Sequence, residues 1–410
     1  MSSTGSWGLF EVFGVEMEYM IVDRTTLAVR PIADELLKGM AGEYVQTVER
    51  DRFAWSNELV CHVIELKTNG PAPILQGLAG GFHEEIRFIH QRLAADNAML
   101  LGSGSHPLFD PDRETRLWPH GDQEIYAQYD KIFGCRGHGW SNLQSVHLNL
   151  PFAGDAEFGR LHAAIRLVLP LIPALAASTP MLDGRITGYL DTRLETYRHN
   201  QARIPSIIGR IIPERVFTEA DYRRKIFAQI ETDIEPHDPD KVLGSVFLNS
   251  RGAIARFDRN AIEIRLIDIQ EAPVADLAVL ELVVAAVRWL TEGSTIPLRE
   301  QQQWPEDLLA DILLEVIREG DGAQIRDADY LAAFGYPGRR ATAAQLCRHL
   351  AETLVASFSE SATSALRHVL AKGPLARRLL AHLGDRPDSA RVHSVYSELG
   401  RCLLENRQLP

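Results

Sequence analysis

The segment FGVEMEYMIV, residues 13–22, alternates strictly between two kinds of side chain. Phe13, Val15, Met17, Tyr19 and Ile21 fall on one side of an extended chain, and Gly14, Glu16, Glu18, Met20 and Val22 on the other. Such a segment must form a strand with an apolar face on a core and a second face that carries two carboxylates. The same division recurs downstream. NELVCHVIELKTNGPAP (57–73) reads as a strand bearing Glu65 and closed by Asn69, Gly70 and Pro71. SVHLNLPF (145–152) sets His147 and Asn149 against Val146, Leu148 and Leu150, and NAIEIRLIDIQ (260–270) sets Glu263 and Arg265 against Ile262, Ile264 and Leu266.

Other segments fill the space between these strands. LLGSGSHPLF (100–109) is an extended piece broken by glycines, and 75–93 has helical spacing. Residues 156–177 predict a long apolar helix interrupted by Pro170 and Pro173, followed by a loop-rich stretch, 181–214, of the length expected for a functional lid. A helix is expected over about 274–290. Beyond Pro305 the reading is helical, with candidates at 307–319, 343–358, 361–370, 375–383 and 389–405. The pattern predicts an α+β fold: a catalytic domain over 1–300 on a largely antiparallel sheet, with a helical region, 301–410, packed on it.

Ionisable residues on a sheet inside a domain are costly unless they are paired or bind metal. If the strands lie side by side, Glu16, Glu18, Glu65, His147, Glu263 and Arg265 form one cluster of carboxylates with an imidazole. Hard oxygen donors of this kind suit Mg²⁺ or Mn²⁺, and Mg²⁺ in turn serves phosphate-bearing substrates. Each pattern alone is better explained by a solvated sheet face, a hydrogen-bonded structural histidine or a cross-strand ion-pair ladder. No GxxxxGK[ST], GxSxG or HExxH motif competes.

Charge and hydropathy narrow the partners. With 43 basic and 55 acidic residues the net charge is −12, and no Lys/Arg run marks a nucleic-acid surface. No stretch reaches the ~18 to 20 apolar residues of a bilayer span. The longest candidate, Leu277–Leu290, contains Glu281 and Arg288 and reads as a buried helix. Cys61, Cys135, Cys347 and Cys402 are too scattered for a disulfide framework or a cysteine zinc site. A cytoplasmic location is the expectation, since the first residues lack a basic and apolar leader. Homo-oligomerisation is left open.

At these same residues the chain resembles the glutamate–cysteine ligase type 2 family, ATP-dependent carboxylate–amine ligases related to glutamine synthetase. FGVEMEYMIVD (13–23) is similar to the family's opening GxExEx signature, VIELKTNGP (63–71) to its second acidic strand, and GSGSHP (102–107) to its GTHP turn. SVHLNLPF is similar to its HVHxG strand, AIEIRLIDIQ to its closing xExRxxD strand, and LIPALAASTPMLDGRITGYLDTR (171–193) to its helix and TGxxSxR loop. The matches keep their order over about 9–290. SVHLNLPF departs by lacking the glycine and the leading histidine, and Asp191-Thr192-Arg193 departs by lacking the usual serine.

The resemblance implies a curled antiparallel sheet forming a funnel, with Mg²⁺ or Mn²⁺ between carboxylates and the phosphates of ATP. Carried over residue by residue, it makes Glu16, Glu18, Glu58, Glu65, His147 and Glu263 metal ligands. Glu58, seven residues before Glu65, falls on the opposite face of a continuous strand unless a bulge intervenes. Arg265 would face the γ-phosphate and Arg193 the substrate carboxylate or the transferring phosphate. Arg198 and Asn149 are further candidates for substrate or phosphate binding. The expected activity is amide formation through an acyl phosphate, with ATP and amino-acid-like small molecules as ligands and glutamate or a similar amino acid as carboxylate donor. A small-molecule kinase and a catalytically silent binding relative are the alternatives.

Overall fold

The computed structural model describes residues 7–410. In chain order its main strands are β1 (Gly14–Asp23), β2 (Thr47–Arg50), β3 (Phe53–Asn57), β4 (Val63–Thr68), β5 (Ala98–Leu101) and β6 (Ser145–Pro151). A separate hairpin follows, β7 (Met181–Leu182) with β8 (Arg185–Ile186), then β9 (Ala253–Arg256) and β10 (Ala261–Asp268). The central sheet has eight strands in the order β2-β3-β4-β1-β6-β10-β9, with β5 attached to β1. Every pairing is antiparallel. One edge of β1 is divided: residues 14–17 pair with β6 and 20–23 with β5, so the sheet forks there.

The apolar face is held by helices. Val15, Met17, Tyr19, Ile21, Trp55, Ile64, Leu66, Leu148 and Ile262 share one core with Phe82, Ile86 and Ile89 of helix Leu78–Leu93 and with helix Pro273–Thr291. The latter is buried along nearly its whole length. Its one carboxylate near the middle, Glu281, accepts from Ser359 N at 2.7 Å and Ser359 Oγ at 2.8 Å, at the start of helix Glu360–Lys372. An acid in an apolar helix is thus spent on fastening the C-terminal region. Arg378, from helix Leu375–Leu383, makes a buried ion pair with Glu271, just past β10, and Leu409 N donates to the same carboxylate at 3.0 Å.

Asp268, the last residue of β10, ties loops to the sheet. Its Oδ2 accepts from Ser178 N at 2.8 Å, Ser178 Oγ at 3.1 Å and Thr179 Oγ1 at 3.1 Å, and its Oδ1 accepts from Arg193 Nε. Gly104 N donates to Ser178 Oγ at 2.8 Å. A Cβ on Gly104 would lie 2.8 Å from the Asp268 carboxylate carbon, which explains the glycine in that turn.

Several expectations change. Residues 57–73 are not one strand: β3 ends at Asn57, residues 58–62 turn, and β4 starts at Val63. The prolines convert 169–171 into a 3₁₀ turn between helices Gly154–Val168 and Ile172–Ala176. That combined segment, 154–176, is long and apolar enough to span a membrane, with a mean hydropathy of 1.4, contrary to the expectation that no stretch would be. The same window is 94% buried inside the fold. The 181–214 stretch is not free-standing either, since Leu190 N and Asp191 N donate to Arg318 O and Ile317 O at 3.1 and 3.0 Å. In the C-terminal region the predicted helices appear at Glu306–Glu319, Ala343–Thr353, Glu360–Lys372, Leu375–Leu383 and Ser389–Glu405.

Gly104→Ala is expected to destabilise the protein by about 1–3 kcal/mol through overpacking against Asp268 and Ser178. Gly80→Ala, at an exposed helical position with no atom within 4 Å of the added Cβ, is expected to stabilise it by about 0.5–1 kcal/mol. Urea unfolding midpoints of the two variants check both signs.

Candidate active site

The strand pairings put the ionisable residues on one face in three adjacent rows. Ser56 of β3 lies opposite Glu65 of β4, which lies opposite Glu18 of β1. One step along, Lys67 of β4 faces Glu16 of β1, which faces His147 of β6. In the third row Gly14 faces Asn149 of β6, and Asn149 faces Glu263 of β10. Directly opposed residues of antiparallel strands share a face, so the alternation in each strand converges on one surface. A Cβ on Gly14 would stand 3.0 Å from that of Asn149, so this position leaves room for the amide.

Hydrogen bonds cross-link the rows. His147 Nδ1 is 3.1 Å from Glu16 Oε2, and His147 Nε2 is 2.9 Å from Ser145 Oγ. Ser145 donates to Glu18 Oε2 through its Oγ at 2.9 Å and its N at 2.7 Å. With its proton given to Glu18, the Ser145 hydroxyl accepts from His147 Nε2, and Nδ1 must donate to the Glu16 carboxylate. The ring therefore donates at both nitrogens and is an imidazolium. Burial opposes that charge, but the Glu16 hydrogen bond and the charge of Glu18 raise the His147 pKa above its ordinary value. Burial likewise opposes ionisation of Glu16, yet His147, Lys67 and Arg259 bring its carboxyl down to about 2.

The other acids are less evenly served. Glu65 accepts from Ser56 Oγ at 2.6 Å and Lys67 Nζ at 2.8 Å, while burial and the charge of Glu16 raise its pKa. Glu263 has Arg256 Nη1 at 3.3 Å and Arg265 Nε at 3.0 Å, the latter without the alignment of a hydrogen bond. Glu58 sits in the turn before β4, so strand parity does not govern it. Burial first, then Glu18 and Glu65, push its carboxyl well above the ordinary range. Glu18, Glu65, His147 and Glu263 are 8%, 6%, 6% and 4% exposed, so their charges are felt with little water between them.

The face forms one wall of a cleft of about 540 Å³. Glu16, Glu18, Glu58, Glu65, His147, Glu263, Arg265 and Arg193 all line it. Tyr126, Tyr129, Trp140 and Phe247 line it as well. Arg193 is 3% exposed, with its Nε on Asp268 and its Nη2 3.5 Å from Arg265 O. Asn149 donates to Glu16 Oε1 at 3.1 Å and does not reach the cleft lining. Arg198 also lies off the lining, in a bidentate pair with Glu195 at 2.6 and 3.0 Å.

The donor set fits a divalent cation. Glu16, Glu65 and His147 each offer a ligand atom, all within 4.8 Å of one another. A hard cation would relieve the repulsion that raises Glu58 and Glu65, and His147 would give up one ring proton to become a ligand.

Sequence reading missed four contributors. Lys67 and Ser145 share strand parity with Glu65 and His147, so alternation alone could have found them. Asp268 stands in the segment resembling the closing strand. Arg256 lies on β9, which had no sequence expectation.

A carboxyl whose folded pKa exceeds its ordinary 4.5 loses stability for the protein as pH rises through that interval. Glu58→Gln is therefore expected to melt above the parent protein at pH 8 in the presence of a chelator. The gap should narrow as pH falls toward 4.5, which calorimetry at both pH values reads directly.

Comparison with known proteins identifies the family of the chain. Residues 12–383 match the family described as glutamate-cysteine ligase family 2. An uncharacterized protein of Archaeoglobus fulgidus is 35% identical over 309 residues, covering 75% of this chain and 80% of that one. A chain of Rubrobacter xylanophilus, provisionally named glutamate–cysteine ligase 2-3, is 25% identical over 254 residues, 58% of this chain and 63% of that one. Among solved structures, the glutamate–cysteine ligase of Francisella tularensis in complex with AMP shares the fold with a TM-score of 0.60 at 12% identity, covering 97% of this chain and 90% of that one. The chain belongs to glutamate–cysteine ligase family 2, and with it to the ligases.

Proposed function

We propose that the protein is an ATP-dependent carboxylate–amine ligase that forms an amide through an acyl phosphate, with glutamate or a similar amino acid as carboxylate donor. The observation that carries the reading is a buried carboxylate–imidazole face with Arg265 and Arg193 on the wall of one cleft. Family membership and the fold support it.

Carboxylate and amine do not condense in neutral water, so the carboxylate is first activated. Its oxygen attacks the γ-phosphorus of ATP, the bond to the β-phosphate oxygen breaks, and ADP leaves. The amine then attacks the acyl carbon, loses a proton, and expels inorganic phosphate. Mg²⁺ or Mn²⁺ ions shared among Glu16, Glu18, Glu58, Glu65, His147 and Glu263 would supply neutralisation of phosphate oxygens. Arg265 lies among these acids and offers guanidinium protons to charge that develops on the transferring group. Arg193, fixed at its Nε by Asp268 and at its Nη2 by Arg265 O, keeps its Nη1 for the substrate carboxylate or the phosphate. The buried acidic wall and the aromatic side chains of the lining would limit the water that hydrolyses the acyl phosphate.

The test is ADP and phosphate release with Mg²⁺ and ATP over amino acids given singly and in pairs, with hydroxylamine as a trap. Turnover that needs two substrates, hydroxamate formation from the donor alone, and loss of both in Glu263→Gln are expected. Arg265→Ala should lower kcat by about 10²–10³-fold with the fold retained. A stable phosphorylated product without amine would replace the ligase by a kinase. Absence of turnover together with absence of Mg·ATP binding would replace it by a silent relative.

A further inference from the structure

We infer that Lys67 is a resident cation of the acidic face: its ammonium occupies the place beside Glu65 that a divalent ion would otherwise take, and thereby weakens metal binding at the β4 end. The inference rests on the metal reading of the site given above.

Three observations carry it. First, Lys67 follows Glu65 by two residues on β4, so both side chains leave the same face, and its register partner across β1 is Glu16. It therefore stands against two members of the trio, Glu16, Glu65 and His147, whose ligand atoms converge. Second, Lys67 Nζ is 2.8 Å from Glu65 Oε1, and that same oxygen accepts from Ser56 Oγ at 2.6 Å. Both acceptor positions of Oε1 are taken, which leaves Oε2 for any ion. Third, Lys67 lines the cleft, and its side chain is 32% exposed against 7% for Glu65. The ammonium is thus held at the mouth of the cluster on a flexible stem rather than sealed beneath it.

A divalent ion approaching Glu65 must either displace the ammonium from Oε1 or bind Oε2 beside a positive charge. Each route lowers affinity, because like charges repel strongly where little water intervenes. The acidic face is then part-neutralised from within, and a cation enters against competition from the chain itself. Arg256 and Arg265 stand near Glu263 in a comparable way, but at 3.3 Å and without hydrogen-bond alignment respectively, so their hold is looser.

The experiment is Mn²⁺ binding to the whole protein without nucleotide, followed by electron paramagnetic resonance and calorimetry, for wild type, Lys67→Met and Lys67→Arg. Lys67→Met is expected to bind Mn²⁺ at least about tenfold more tightly or with an added equivalent, while Lys67→Arg stays close to wild type. Misfolding would weaken binding, so a gain cannot come from a damaged fold. Wild type and Lys67→Met isotherms that superimpose, or a weaker Lys67→Met, would overturn the role of Lys67 alone. No Mn²⁺ binding by either protein would overturn it together with the metal reading.

Discussion

Repulsion among like charges is the constraint that the rest of the molecule answers. Glu16, Glu18, Glu58, Glu65 and Glu263 border one cleft, and two unit charges 4 Å apart at an effective dielectric of 20 repel by about 4 kcal/mol. A few such pairs would consume the roughly 5–15 kcal/mol by which a domain is stable. Donors on the same face supply the answer: His147 and Ser56 directly opposite Glu16 and Glu65, Asn149, Ser145 and Arg256 from adjacent strands to Glu16, Glu18 and Glu263, and Lys67 from two residues along β4 to Glu65. A slip of one residue in any pairing would send these donors to the core side and the apolar residues to the cleft. Strand register is therefore fixed twice, once by burial and once by charge.

The sheet alone does not place every group. Arg193 comes from the first turn of a short helix, Thr192–Tyr197, far from the sheet in sequence, and Asp268 at the end of β10 holds it by its Nε. The same carboxylate fixes Ser178 and Thr179, and through Ser178 the turn at Gly104. The entry to this helix is tied to the end of helix Glu306–Glu319 by backbone bonds from Leu190 and Asp191. The C-terminal region thus bears on the site by steadying the backbone that presents Arg193.

What could be read in the sequence follows from which forces are local. Strand alternation is local, so β1, β6 and β10 were legible with their faces, as were the amphipathic C-terminal helices, Leu375–Leu383 and Ser389–Glu405 within a residue. The turn at 58–62 was not, because Leu59, Val60 and Cys61 continue an apolar run and nothing there breaks a strand; only the pairing of β3 with β4 reveals the reversal. Edge strands such as β2 and β9 are too short and mixed to show a period. The convergence of Glu16, Glu65 and His147 depends on strand order, which alternation does not encode. The commitment of Arg198 to Glu195 was in principle visible as an i, i+3 pair within a helical turn.

Glu271 lies three residues beyond Asp268, and its carboxylate is shared between Arg378 and the backbone of Leu409. Leu409 O in turn accepts from His368 Nε2 at 2.9 Å, so one small buried network joins the end of β10 to helices Glu360–Lys372 and Leu375–Leu383 and to the tail of the chain. An opening that frees both helix Leu375–Leu383 and the tail leaves the Glu271 carboxylate without its partners inside the protein, which makes that detachment expensive. Helix Leu375–Leu383 and the strand that carries Glu263 and Arg265 are consequently expected to open as one unit of local unfolding. Amide hydrogens in these two places, more than a hundred residues apart in sequence, should then exchange with solvent through the same event.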